Sequence, residues 1–562
     1  MHLYTCFAVG VSMYKATAVE KQILRLSKKI GPLGMFASGL KRYAGKVWLP
    51  TKENERKALA EVERLLKKAK NDPVVTKYLR AERRGLLTEE LHDIPGTVMN
   101  YLYNHFLIEG FNQKHINQLA DGCLKILDIK QRLLKKDWPV EIKVLTMLAC
   151  DGCVGVIQTA KQNITGPRVQ KKLDLLIAKV REWRAAAQVG TIKKGDFSEV
   201  FPILKKHGTG FRREKQYPRI LKDCYDYRET PQEIEKLALG WLEAELPKFR
   251  AIVAKLASKL GVKPVPGNVE DAMQKKFSVP RQKLVHTIQQ TRGILQNLAE
   301  QHWVRITPGY DVRVIETPKY LVLFMPTAAM SSFGTLTRKP FCVFFSTTDA
   351  RGSPSTCLPE MFQTIIHEEY GHCVNFMNSY KGFLGKRRLV EILGSSLDTA
   401  ITEGLSFHRE VEALETFRHL EHEYRPSKTE KQLLAFIDQF TDLETFNDAL
   451  EYVVRKWRVF RFLRAISDSR VNTGKQKYAA FVDWAGAKTG MPKKLIYDQT
   501  FFFQEHAGYA PCYSIFGQQL AALQRKALAK GVSRLDFNTF VVSAGFPART
   551  LFEKQLKQQF KM

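Results

Sequence analysis

The sequence predicts a mainly α protein, a large helical architecture carrying one small β-sheet beside a functional helix. Three observations carry this expectation. Apolar residues recur at helical spacing through most of the 562 residues. Strand-like runs, rich in β-branched and aromatic residues, crowd into residues 312–345. That stretch leads into Ile366-His367-Glu368-Glu369-Tyr370-Gly371-His372, whose residue types suit a hydrolytic metal site.

From the N-terminus, residues 2–14 form a short apolar run with no Lys or Arg ahead of it, unlike a secretory signal. They are read as part of the folded protein or an extension of it. Nine cysteines, an odd number without regular spacing, predict free thiols in a reducing compartment and so a cytoplasmic protein. Cys150 and Cys153 form a lone C-x-x-C, read as two buried thiols rather than a metal or redox pair. Amphipathic helices are predicted over residues 53–70, 98–109, 117–136, 139–160 and 169–187, with breaks at Pro73, Pro139 and Pro167. Basic, Gly-containing stretches at 190–195 and 207–213 form a joint. It divides the chain into a helical N-terminal region, 1–210, and a catalytic region, 211–562. Helices resume over 231–260 and 280–300. Strands are predicted over 312–316, 320–325 and 341–345. An edge strand at 341–346 or 320–325 would hold a peptide by main-chain hydrogen bonds. No run is long enough to span a bilayer, and the most apolar, 320–330, is broken by Pro326.

In the central motif, two imidazoles would hold a metal while Glu368, next to the first, takes a proton from the attacking water. The spacing is one residue longer than the usual H-E-x-x-H. On a regular helix residues i and i+4 lie ~40° apart but i and i+5 ~140° apart, so His367 and His372 would diverge. A π-bulge brings them back to one face, and Gly371 tolerates such a backbone. Glu369 is the alternative base if the bulge turns the helix the other way. A third ligand is expected from a second helix over 393–414, where Glu403 stands in Thr402-Glu403-Gly404-Leu405-Ser406. His408 and Glu410, further along it, are candidates to orient a ligand. In the basic stretch 455–467, Arg461 and Arg464 could grip a substrate carboxylate.

The chain resembles a gluzincin-like group of zinc peptidases that carry H-E-x-x-P-G-H and then E-G-W-A-x-Y-x-E. That group is related to the thimet oligopeptidases and the carboxypeptidase Taq family. The similarity extends over residues 217–560, through Thr230-Pro231, Val312–Leu321, Leu358-Pro359 and the segment from Phe537 to Leu551. The first motif here lacks the Pro, and Leu405-Ser406 stands where Trp-Ala is common. Dipeptidyl peptidase III has the similar H-E-x-x-G-H with both His on zinc. Arg464 and Asp468 resemble an R-A…D pairing of the family, with Asn472 where a His is frequent. His506-Ala-Gly508-Tyr509…Tyr513 is similar to segments of both related families. The resemblance implies a zincin-like fold with a deep channel, zinc on His367, His372 and Glu403, and Tyr509 and Tyr513 as oxyanion or substrate donors. His506 is a third candidate donor.

The expected function is zinc-dependent hydrolysis of short peptides, with Arg464 favouring carboxypeptidase action on an oligopeptide substrate. The rival expectation comes from a net charge of +31, which attracts anions in general. It would make the chain a basic nucleic-acid- or anion-binding protein on an inactive peptidase scaffold. The Lys and Arg are spread along the chain without a nucleic-acid module, so no specific nucleic-acid partner is expected.

Overall fold

The computed structural model describes residues 16–562 apart from 319–321, 323–327, 338, 348–356, 382–387, 394 and 424. The apolar run at 2–14 lies outside these residues. So does the strand expected at 320–325, except for Val322, which sits in a turn. The fold is mainly helical with a three-stranded sheet, as the apolar periodicity predicts.

Nine of the helices position the features discussed below. In the N-terminal half, α1 (Asp93–Glu109) ends at Gly110, whose φ of 67° turns the chain. Asn112 then caps α2 (Gln113–Lys130) by accepting the His115 backbone N–H at 3.2 Å. The short connection makes the two helices packed neighbours. The long helix α3 (Pro231–Leu260) starts on a reciprocal cap between Thr230 and Glu233, with Pro231 in its first turn. α4 (Arg281–His302) leads to the sheet.

The strands are β1 (Val312–Glu316), β2 (Ala328–Phe333) and β3 (Phe341–Ser346), in the order β1-β3-β2. β1 runs parallel to β3, pairing Val312 with Cys342, and β2 runs antiparallel, pairing Ala328 with Ser346. β3 is therefore the central strand. This corrects its expected role as a substrate-holding edge, because both rows of its backbone groups are already paired. Its unbroken burial from Cys342 to Ser346 is the mark of a strand covered on both faces.

The sheet lies against the motif helix, as expected. Cys342 of β3 and Met330 of β2 pack on Cys373 and Met377. That helix comprises α5 (Leu358–Ile365), a π-helical segment Ile366–Cys373, and α6 (Val374–Lys381). α7 (Thr399–Leu420) packs on the π-segment. It starts later than the expected 393, because Ser395 and Asp398 cap each other in a short 3₁₀ turn and delay the helix to Thr399. α8 (Leu443–Asn472), capped by Asp442, packs along α3, and α9 (Pro511–Leu528) packs along α7. One apolar cluster extends from Leu91 to Leu556 through these elements.

Two glycines allow α7 its close neighbours. A Cβ on Gly404 would meet the Gly517 backbone N at 2.8 Å, so α7 and α9 cross at a pair of glycines beside Glu403. A Cβ on Gly371 would meet Ser406 Oγ at 2.1 Å and Ser406 Cα at 2.7 Å. Gly371 does not have a positive φ. Its role is thus close approach between helices, not the backbone freedom inferred from the motif. Gly371→Ala is expected to force α7 off the π-segment, costing ~1–3 kcal/mol and most of the metal affinity. Thermal melts and metal content check this; an unchanged Tm with full metal would contradict it.

Candidate metal centre

The extra residue between the two imidazoles is absorbed by the π-segment. Hydrogen bonds there run to the fifth residue back, as from the Val374 N–H to the Glu369 carbonyl, so residues five apart share a face. His367 and His372 accordingly meet, their rings edge to face with centroids 4.9 Å apart. Glu403 arrives from α7. Its Oε2 lies 3.4 Å from His372 Nε2 and 3.7 Å from His367 Nε2. One ligand atom from each of the three side chains falls within 4.8 Å of the others. The three residues are only 7, 8 and 8% exposed respectively.

Both imidazoles are held from behind. His367 Nδ1 sits 2.7 Å from Glu410 Oε1, which fixes the ring and leaves Nε2 facing inward. Glu410 in turn accepts from Gln363 Nε2 and Arg461 Nη2, each at 2.7 Å. His372 Nδ1 lies 3.2 Å from Ser406 Oγ, whose hydroxyl has the Thr402 carbonyl at 3.1 Å as its acceptor. Ser406 thus accepts from one imidazole and donates to its own helix. Glu410 is seven residues from Glu403, two helical turns, and so shares its face. His408, five residues on, faces away.

A donor set suits a metal when its inward atoms have nothing else to bind, and this one does. Glu403 Oε2 is buried with no hydrogen-bond partner among the described residues. Such an atom costs ~1–3 kcal/mol unless a cation meets it. Tetrahedral bonds of ~2.0–2.1 Å put ligand atoms ~3.3 Å apart, close to the separations here. Two imidazoles and a carboxylate match zinc better than calcium or magnesium.

From the turn before α9, the Tyr509 hydroxyl donates to Glu403 Oε1 and lies 3.2 Å from the Tyr513 hydroxyl. Tyr513 lies nearly parallel to His367 at 6.2 Å. Asp468 sets this turn by accepting the Gly508 N–H at 3.0 Å and the Tyr217 hydroxyl at 2.6 Å. Gly508 has a φ of 89°, a conformation that favours glycine. Asn472, where the resembling family has a His, donates to Asp468 Oδ1 at 3.0 Å. Burial pushes the Asp468 carboxyl up to about 7, against the hydrogen bonds it accepts.

Other predicted residues find different places. Glu368 is half-buried beside His367 and makes no hydrogen bond or ion pair with any described residue. Glu369 is excluded as the alternative base. Its carboxylate is buried, paired with Arg292 and in reach of the Tyr310 hydroxyl at 3.3 Å. Arg461 is bound to Glu410 and has no free fork for a substrate. Arg464 is buried, stacked 3.7 Å from the Phe503 ring, and donates to Gln499. No described carboxylate lies within ion-pair reach of it. His408 is no support to the metal ligands. It bonds Gln524 Oε1 at 3.1 Å, in a separate polar cluster with Glu412 and Asn538. His506 is likewise displaced from the centre. It is exposed and lines a cavity with Glu90, Asp93 and Arg213. Its backbone carbonyl, not its ring, serves the turn by accepting from the Tyr509 N–H.

Protonation competes with metal here. Burial and the Arg461 charge oppose a proton on His367, but the facing carboxylates of Glu403 and Glu410 outweigh them and raise it to about 9. A metal must displace that proton. Apparent zinc affinity is expected to fall as pH drops below about 9, approaching about tenfold per pH unit for one proton. Competition titrations with a chromophoric chelator between about pH 6 and 8 test this, and a flat profile would contradict it.

No protein-family model matches the sequence, and no curated protein does. Two solved structures share the fold along nearly the whole chain. One is a "putative lipoprotein from Colwellia psychrerythraea", 14% identical at a TM-score of 0.63, covering 97% of this chain and 99% of that one. The other is a "putative lipoprotein of unknown function from Shewanella oneidensis", 16% identical at a TM-score of 0.63, covering 96% and 98%. Both descriptions overturn the expected cytoplasmic location. The cysteine argument fails because every described cysteine is free and all but Cys224 are buried. Packing shields such thiols whatever the redox state outside. No described helix is long and apolar enough to cross a membrane.

Proposed function

We propose that the protein is a zinc-dependent peptidase of the gluzincin-like kind its sequence resembles, acting on short peptides and favouring those with a free C-terminal carboxylate. The observation that carries this reading is the orphaned Glu403 Oε2 aimed between two inward imidazole nitrogens. Zinc held by His367, His372 and Glu403 would supply a Lewis acid that acidifies water and polarises the scissile carbonyl. Glu368, with no competing partner among the described residues, takes the proton from the attacking water and passes it to the leaving amine. Tyr509 commits its one proton to Glu403, so Tyr513 is the hydroxyl that can turn to the developing oxyanion. Glu410 and Ser406 keep the imidazoles aimed. Ligands this deeply buried admit chain ends or short peptides rather than folded proteins.

Arg464 supplies the C-terminal preference. It is a buried guanidinium without a carboxylate partner among the described residues, on the side of Tyr513 with its Cζ 5.4 Å from that ring. Loss of a charge-assisted contact worth ~1.5–3 kcal/mol predicts that Arg464→Met lowers kcat/KM on free-carboxylate peptides roughly 10- to 100-fold. Amidated peptides should be much less affected. Equal losses on both would remove Arg464 from substrate recognition.

The test of the reading as a whole is digestion of a mixed oligopeptide library, read by mass, with metal content measured on the same protein. Cleavage that stops on chelation and returns with zinc is expected. A metal-loaded protein that cleaves nothing, yet binds nucleic acid in a salt-sensitive way, would favour the anion-binding alternative that its net charge of +31 suggests.

A further inference from the structure

A second cluster of metal-ligating side chains lies in the N-terminal half, outside everything discussed so far. His105 and Glu109 are four residues apart on α1, one turn, and so lie on one face. His115 stands in the first turn of α2, where the Asn112 cap fixes its backbone. The reversal at Gly110 turns it back toward α1. His115 Nδ1 lies 2.9 Å from Glu109 Oε2, and the His105 and His115 rings meet edge to face at 5.4 Å. One ligand atom from each of the three falls within 4.8 Å of the others.

The independent observation concerns His105. It is 1% exposed, and neither ring nitrogen has a hydrogen-bond partner among the described residues. Its ring is stacked on Phe36 at 5.4 Å, which orients it without satisfying it. A buried imidazole with both nitrogens idle leaves a donor and an acceptor without the bonds that burial demands. Glu109 and His115 side chains are 19 and 24% exposed, so an ion can reach the cluster from solvent.

We propose that His105, Glu109 and His115 form a second metal site, which takes a divalent transition-metal ion such as zinc. Two imidazoles and one carboxylate are a zinc donor set with a position left for water, and they disfavour calcium and magnesium, which want oxygen alone. The ion would replace the Glu109–His115 hydrogen bond and tie the end of α1 to the start of α2. Leu107 and Ile108, beside His105, pack under the β2–β3 side of the sheet. The site therefore braces the helix end on which that sheet rests.

The test uses the full chain, equilibrated with zinc, and does not depend on peptidase activity. His372→Ala removes the first centre, His115→Gln the second, and the double variant both. Expected zinc contents are about two per chain for the parent, about one for each single variant and none for the double. In the His372→Ala background, zinc should raise Tm, and adding His115→Gln should abolish that rise. The proposal is overturned if folded His372→Ala protein takes up no zinc. It is equally overturned if the zinc it takes up survives His115→Gln. Because the first centre is already disabled in these arms, failure here leaves the peptidase reading intact.

Discussion

A Glu368→Gln protein is expected to bind as much zinc as the parent and to hydrolyse peptides ~10²–10⁴ times more slowly. The structural reason is the solitude of this carboxylate. Its neighbour Glu369 is buried and paired with Arg292, whereas Glu368 is half-buried and bonded to no described residue. Changing it to the isosteric amide removes a proton acceptor without breaking a contact, so fold and metal content should survive. Glu369→Gln is the contrasting control, because it neutralises one half of a buried ion pair and should lower stability. Parallel measurements of kcat, zinc content and Tm separate the two. Undiminished turnover in Glu368→Gln would remove this residue from the chemistry.

The second large effect is expected at Glu410. Glu410→Ala leaves Arg461 buried without its counter-charge and His367 without the acceptor behind it. Breaking a buried pair from one side costs ~3–5 kcal/mol, and losing a partner behind a metal ligand typically weakens metal binding ~10–100-fold. The pH dependence has a definite sign. Burial alone would raise the Glu410 carboxyl, but the Arg461 charge and the hydrogen bond from His367 overcome it and hold it at about 2. A depressed folded value means that its stabilisation is complete above the unfolded value of ~4.3. It is lost as pH falls from there toward about 2. Denaturant titrations of parent and Glu410→Ala at neutral and acid pH should therefore converge as pH drops. A constant difference would contradict the assignment.

How much of this was legible beforehand depends on what kind of information each residue carries. The motif spacing reported its own geometry: a His one residue late demands a π-segment, and Ile366–Cys373 is one. Glu403 and Glu410 were legible as residues seven apart on a helix, two turns along one face. His408 was misread because five residues is not a whole number of turns, and it faces a different polar cluster. Ser406 was visible only as a departure from the family pattern, and its bond to His372 depends on how closely Gly371 lets α7 approach. Arg461 and Arg464 look alike in sequence. Only the tertiary packing shows that the first is taken by Glu410 and the second is not. The strand order was likewise beyond reach, since a parallel β1–β3 pair skips the intervening strand. The His105 cluster left no motif because its third member arrives across a helix reversal.

Whether three side chains from two helices share one ion is read from anomalous diffraction at the zinc edge of zinc-loaded crystals. A peak is expected between His367 Nε2, His372 Nε2 and a Glu403 oxygen, ~2.0–2.2 Å from each. A map with no peak there, from protein that carries zinc elsewhere, would contradict it.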